Sequence, residues 1–242
     1  MANKSFLCDE INYNISYKLL NTSQNESILF LHGWGANKEL MEQAFKNSFK
    51  NFTHIYLDLP GFGNSSIQKP LNSHEVKNIV EKFLVEIDKK PNFIIGHSFG
   101  GKIATLLNPQ TLVLLSSAGI ILPKRFSVRA KIAIFKFLKS IGLGRFYKLF
   151  ATKDVEGMSK TMYEMAKIAI NEDFSEYFKN CTSKAFLFWG KQDSATPLIA
   201  GEKIHSLIKK SQLFIYEGDH FFFLKQAEKI EKDIFTCKEE NA

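Results

Sequence analysis

The chain is 242 residues long, 45% hydrophobic and 24% charged, which suits one sizeable globular core and excludes a disordered or fibrous protein. No run of about 18 uncharged apolar residues occurs, so no segment reads as a membrane-spanning helix. The three cysteines, Cys8, Cys181 and Cys237, are too few and too far apart for a disulfide framework or a zinc site.

The net charge of +7 is unevenly spread. Lys124, Arg125, Arg129, Lys131, Lys136, Lys139, Arg145, Lys148 and Lys153 follow one another with no acidic residue among them and include every arginine in the chain. The plain reading is a solvated helical face; the sharper one is a docking face for an acidic partner, because the guanidinium fork grips carboxylate or phosphate in fixed geometry. Residues 1–6 lack the apolar stretch of a secretory signal, and with isolated thiols the expected location is the cytoplasm.

Short β-rich runs alternate with helical patterns, the mark of an α/β protein with a mostly parallel sheet flanked by helices. Strands are predicted over 11–18, 27–32, 53–59, 92–96, 111–116, 184–189 and 212–216. The first alternates polar and apolar residues and reads as an edge strand. Ile28-Leu29-Phe30-Leu31 and Leu112-Val113-Leu114-Leu115 are continuously apolar, as in strands covered on both faces. Helical spacing marks 73–85, with Ser73 as N-cap, and 202–208. The alternation stops at Gly119: from 120 to 182 the pattern is helical without a strand, which predicts a core of residues 1–119 and 183–242 interrupted by a helical insertion.

The segment that carries chemistry is Gly96-His97-Ser98-Phe99-Gly100, with an apolar strand before it and a helix of about residues 99–108 after it. Such a strand-to-helix turn is tight and needs small residues at 96 and 100. It lifts the Ser98 hydroxyl over the sheet at a helix N-terminus, where developing negative charge is favoured. Ser98 is therefore the candidate nucleophile.

With these flanks the chain resembles the α/β-hydrolase superfamily, in the branch of small carboxylesterases and carbon–carbon bond hydrolases. Four further motifs match in order. His32-Gly33-Trp34-Gly35 resembles the family's oxyanion segment, which implies the backbone N–H groups of Trp34 and Phe99 as the oxyanion hole. Asp58-Leu59-Pro60-Gly61-Phe62-Gly63-Asn64-Ser65 resembles a structural turn beside the site mouth. Gly190-Lys191-Gln192-Asp193 with Pro197 implies Asp193 as the acid, and Gly218-Asp219-His220 implies His220 as the general base. The order Ser98, Asp193, His220 is the one this fold requires. The chemistry needs all three, because a serine hydroxyl is a poor nucleophile until an imidazole takes its proton and a carboxylate holds that imidazole's tautomer.

Neighbouring residues have plainer readings. Asp219 is adjacent to His220 and is read as loop structure; His97 is too close to Ser98 to act as base and is read as packing. His32 is expected to stabilise the oxyanion loop, and His54, His74 and His205 to lie at the surface. No spacing suggests a metal site, and neither a metal nor an organic cofactor is implied. One departure from the family is the short connection from Ser98 to the strand at Thr111, which makes the back of the core unusual.

The resemblance implies that residues 120–182 form a helical cap whose apolar residues, Phe135, Leu138 and Phe146 among them, line an acyl pocket or pack the cap itself. The leading function is cleavage of a small-molecule carboxylic ester through an acyl-enzyme on Ser98. Within it, resemblance to pimeloyl-carrier-protein methyl ester esterases suggests an acidic carrier docking on Arg125, Arg129 and Arg145. The alternatives are a hydrolase of 2-hydroxy-6-oxo-dienoate ring-cleavage products and a non-catalytic binding protein on the same scaffold. The first ranks lower because those enzymes carry Asn before the nucleophile, where this chain has His97. The second ranks lower because Ser98, Asp193 and His220 are all present. No nucleic-acid module is recognisable.

Overall fold

A computed structural model describes residues 2–122 and 159–239. Eight strands form one sheet: β1 (Ala2–Cys8), β2 (Ile11–Leu20), β3 (Ser27–Leu31), β4 (Thr53–Leu57), β5 (Phe93–His97), β6 (Thr111–Leu115), β7 (Lys184–Gly190) and β8 (Ser211–Tyr216). Their order is β1-β2-β4-β3-β5-β6-β7-β8. The pairs β1/β2 and β2/β4 are antiparallel and all others parallel. All seven predicted strands are present within a few residues.

The strand that sequence reasoning missed is β1, and its presence corrects the reading of residues 11–18 as an edge. β2 is hydrogen-bonded on both sides, to β1 and to β4. The two join through a tight turn in which Asp9 and Glu10 have φ of 48° and 64°, the backbone that lets a two-residue hairpin follow the sheet's twist.

Alternate side chains of the apolar strands serve two cores. Leu29, Leu31, Leu112 and Leu114 pack with α2 (Ser73–Glu86) and α3 (Phe99–Leu107) on one face. Ile28, Phe30, Val113 and Leu115 pack with α1 (Lys38–Phe45) on the other. A sheet covered on both faces needs such continuously apolar strands. The cap of α2 is Asn72 and not Ser73: its side chain accepts the Glu75 N–H while the Glu75 carboxylate accepts the Asn72 N–H. This reciprocal box satisfies two otherwise orphaned donors.

The structure ends α3 at Leu107 with Asn108 in the left-handed conformation. A cleft of about 600 Å³ lies at the strand-start end of the sheet, lined by Asn108, Gln110, Lys184, Lys209 and Gln212. Beyond β6, the described part of the insertion holds α4 (Lys160–Asn171) and α5 (Ser175–Lys179) and no strand. The chain then re-enters the sheet at β7, followed by α6 (Leu198–Leu207), β8 and α7 (Ala227–Glu239). The basic run with Arg125, Arg129 and Arg145, and the apolar residues Phe135, Leu138 and Phe146, lie outside the described residues. Among the described residues no helix is long and apolar enough to cross a membrane.

Candidate active site

The topology dictates where a site forms. After β3 the chain turns towards β4 on one side, and from β5 onward it builds towards β8 on the other. The carboxyl ends of β3 and β5, paired through Leu31 and Gly96, therefore flank the switch point at which parallel sheets hold ligands. His32, Gly33 and Trp34 leave β3 there, and Ser98 leaves β5. The two turns touch: a Cβ placed on Gly33 falls 2.7 Å from His97 Nδ1 and 3.1 Å from Ser98 Cβ.

Ser98 has φ 50° and ψ −112° and opens α3. A Cβ at Gly100 meets the Leu31 carbonyl oxygen at 2.5 Å, so only glycine lets α3 lie this close to β3. The Phe99 N–H is in the first turn of α3 and has no intrahelical acceptor. Neither it nor the Trp34 N–H donates to an acceptor among the described residues. The indole of Trp34 stands edge-on to the rings of Phe62, 4.9 Å away, and Phe99, 5.4 Å away, giving the two donors aromatic walls.

The segment behind Trp34 is held by buried polar bonds. His32 donates from Nδ1 to the Gly33 carbonyl (2.8 Å) and accepts the Leu59 N–H at Nε2 (3.0 Å). Burial holds this imidazole below its ordinary pKa, so it is a fixed neutral strut. Asp58 accepts from the Lys38 ammonium (2.7 Å), the Lys38 N–H and the Asn64 N–H. Its carboxylate therefore joins the start of α1 to the turn, a structural role.

The ends of β7 and β8 deliver the other two residues. His220 Nδ1 donates to Asp193 Oδ2 at 2.8 Å, and both side chains are buried. Asp193 Oδ1 also accepts the N–H groups of Ala195 and Thr196. Burial pushes the Asp193 carboxyl up, but the charge and hydrogen bond of His220 and further hydrogen bonds outweigh it and hold the acid below its ordinary range. The arrangement fixes the proton on Nδ1 and leaves Nε2 of His220 as an acceptor. Gly190 is required here, because a Cβ there collides with the Asp219 carbonyl of the His220 loop. Asp219 itself accepts the Phe221 N–H at 2.9 Å, a loop role.

Two residues that sequence reasoning passed over complete the cluster. His97, read as packing, donates from Nε2 to the His220 carbonyl at 3.0 Å, with the two rings 4.6 Å apart. It thereby ties the strand that carries Ser98 to the loop that carries His220. Burial and the neighbouring His220 push its pKa well below the ordinary value. Thr196 Oγ lies 2.9 Å from Asp193 Oδ2 and 3.0 Å from the Ser116 carbonyl; its signal was only its place three residues after the acid. Ser98 Oγ makes no hydrogen bond to a described residue; such bonds are often long before substrate binds.

The remaining histidines include one correction. His54 is fully buried, accepting from the Tyr56 hydroxyl and donating to the Phe49 carbonyl; His74 and His205 are exposed. Among the described residues no cluster of histidine, cysteine or carboxylate side chains has metal-site geometry.

Known proteins resemble the chain at several levels. A family model described as alpha/beta hydrolase fold matches residues 26–111. The pimeloyl-[acyl-carrier protein] methyl ester esterase of Pseudoalteromonas atlantica is 31% identical over 100 residues, 38% of this chain and 37% of that protein. The protein of the same description from Neisseria meningitidis is 24% identical over 233 residues, 84% of this chain and 90% of that one. An esterase from Exiguobacterium antarcticum superposes with a TM-score of 0.72 at 19% identity, covering 93% of this chain and 95% of that chain.

Proposed function

We propose that this chain, which has the α/β-hydrolase fold, is a serine hydrolase that cleaves a carboxylic ester through an acyl-enzyme on Ser98. The observation that carries the reading is the buried Asp193–His220 pair, 2.8 Å apart, tied through His97 to the turn that presents Ser98.

In this mechanism Ser98 Oγ attacks the ester carbonyl carbon while its proton passes to Nε2 of His220. Asp193 holds the tautomer and stabilises the imidazolium that forms. The N–H groups of Trp34 and Phe99 receive the oxyanion, each contributing a few kcal/mol to the transition state. Collapse breaks the bond to the alcohol oxygen, which takes the proton from His220. Water then repeats the sequence against the acyl-enzyme, releasing the acid and restoring Ser98.

Likeness to the Neisseria meningitidis relative over 90% of its length supports an acyl ester, and extends to one borne on an acidic carrier protein docking at Arg125, Arg129 and Arg145. The reading carries with it a helical cap, of which α4 and α5 are the described part, and a cytoplasmic location.

The test is a fluorophosphonate probe with a panel of p-nitrophenyl esters and a ring-cleavage dienoate. Labelling and ester turnover that are lost in Ser98→Ala are expected. Absence of wild-type labelling overturns the reading, and so does a preference for the dienoate of more than about tenfold, a difference of about 1.4 kcal/mol in transition-state binding. Reversing Arg125, Arg129 and Arg145 to Glu is expected to slow only the carrier-bound ester. Unchanged turnover of that ester overturns the docking surface.

A further inference from the structure

Lys102 is the one charge in α3, a helix otherwise made of small and apolar residues, and it is 1% exposed. It stands four residues after Ser98, one turn along the nucleophile helix. Its ammonium reaches the Glu172 carboxylate at 2.5 Å and the Ala169 carbonyl at 3.0 Å, and lies 4.4 Å from the centre of the Phe174 ring. Ala169 is in the last turn of α4 and Glu172 directly follows it. A cation at that end also meets the negative end of the helix dipole.

Glu172 faces a third helix. It accepts the Ser73 N–H at 2.9 Å and the Ser73 hydroxyl at 2.5 Å, at the start of α2. One carboxylate therefore joins the end of α4, the start of α2 and the flank of α3. Just beyond it the Phe174 N–H donates to the Gly119 carbonyl, where the insertion leaves the sheet. At its other end α4 rests on the turn beside the site: a Cβ at Gly61 falls 2.5 Å from Met162 Sδ. Phe62 of that turn is the ring that meets Trp34.

The ammonium is buried and the Glu172 carboxylate 20% exposed; burying one or both charges of an ion pair is an uneconomical way to add stability, since apolar side chains of equal volume commonly do as well. Its best-attested use is to select one arrangement among several. We propose that the Lys102–Glu172 pair is a tether that holds α4 in one position against the nucleophile helix and thereby sets which acyl lengths reach Ser98. The inference deepens the hydrolase reading and rests on it for its acyl half. Lys102 and Glu172 are positioning residues: neither touches substrate, and both act through α4.

The experiment compares Lys102→Met, Glu172→Gln and the double variant with wild type by amide hydrogen exchange of residues 160–171 and by ester turnover across acyl lengths. Lys102→Met keeps the stem volume and leaves Glu172 bonded to Ser73, so it is the milder change; Glu172→Gln removes the negative charge that balances the buried ammonium and leaves it the Ala169 carbonyl. Both are expected to speed exchange in α4 by at least about tenfold, and to flatten the acyl-length profile through KM with kcat held within about twofold, as removal of a binding wall does. The double variant should be no worse than Glu172→Gln alone.

Unchanged exchange in both single variants overturns the tether. Faster exchange with an unchanged acyl profile overturns the specificity role and leaves a merely structural pair. If wild-type Ser98 takes no fluorophosphonate label, the hydrolase reading and the acyl half fall together, and exchange decides the tether by itself.

Discussion

Ser98 carries a side chain at φ 50°, ψ −112°, a backbone region that costs a non-glycine residue about 1–3 kcal/mol. The proposed chemistry explains why such strain is kept: it aims the hydroxyl away from the helix and into the switch point. Two inactivating substitutions therefore differ in stability. Ser98→Ala keeps the strain, whereas Ser98→Gly releases it against a smaller loss of unfolded-chain restriction. The expected order in urea unfolding is Ser98→Gly above Ser98→Ala by about 1 kcal/mol, with neither variant labelled by a fluorophosphonate. Equal midpoints would show that the turn is not strained. At this scale Ser98 was proposed from the small residues of its own turn, and Asp193 and His220 through the resemblance, whose motifs are local to turns and follow chain order. His97 was not, because its partner is a backbone carbonyl 123 residues away, and no side-chain pattern records a carbonyl. Thr196 and Lys102 were missed alike, although a single lysine inside an apolar helix was a signal to follow.

The packing of α3 against β3 sets the separation between Ser98 and the proposed oxyanion donors, and Gly100 controls it. A Cβ there meets the Leu31 and His32 carbonyl oxygens at 2.5 and 2.6 Å, both backbone atoms that cannot swing aside. At Gly101 the obstruction is the buried Ser117 side chain, with Oγ at 2.3 Å and Cβ at 2.8 Å, and no carbonyl of β3. Gly100→Ala is thus expected to lose about 1–3 kcal/mol by overpacking and to slow Ser98 labelling; Gly101→Ala, whose clash does not press on β3, should slow labelling distinctly less. Equal slowing of Ser98 labelling by the two would refute this account. Elements built on continuously apolar runs were predicted within a few residues. β1 was missed because only Phe6 of its seven residues is buried, so its half-wetted pattern gives no clear period. The α2 cap slipped by one residue because Asn72 and Ser73 are both good caps, and the Glu75 side chain selects Asn72.

Over the whole molecule, three buried neutral histidines couple the fold to pH. Burial depresses the pKa of His32, His54 and His97 from 6.5 in the folded chain. Their contribution is complete above that value, because they are then neutral in both states. As pH falls below it the unfolded chain binds protons first, so stability declines until each folded pKa is reached. Three such groups give a slope of up to about 4 kcal/mol per pH unit. Asp193 and Glu172, held below their ordinary values of 3.8 and 4.5, act in the same direction further into acid: their stabilisation is present above those values and lost below. The urea midpoint should therefore be flat above about pH 7 and fall between pH 6 and 5. His54→Gln, remote from Ser98 and able to keep one hydrogen bond, should reduce proton uptake on unfolding by about one. A flat midpoint from pH 7 to 5, or an unchanged slope in that variant, would sink the account. Two of the three histidines brace the segments that carry Trp34 and His220. Acid that charges them is therefore expected to dismantle the site as it unfolds the chain, with ester turnover and the urea transition moving together across the same interval.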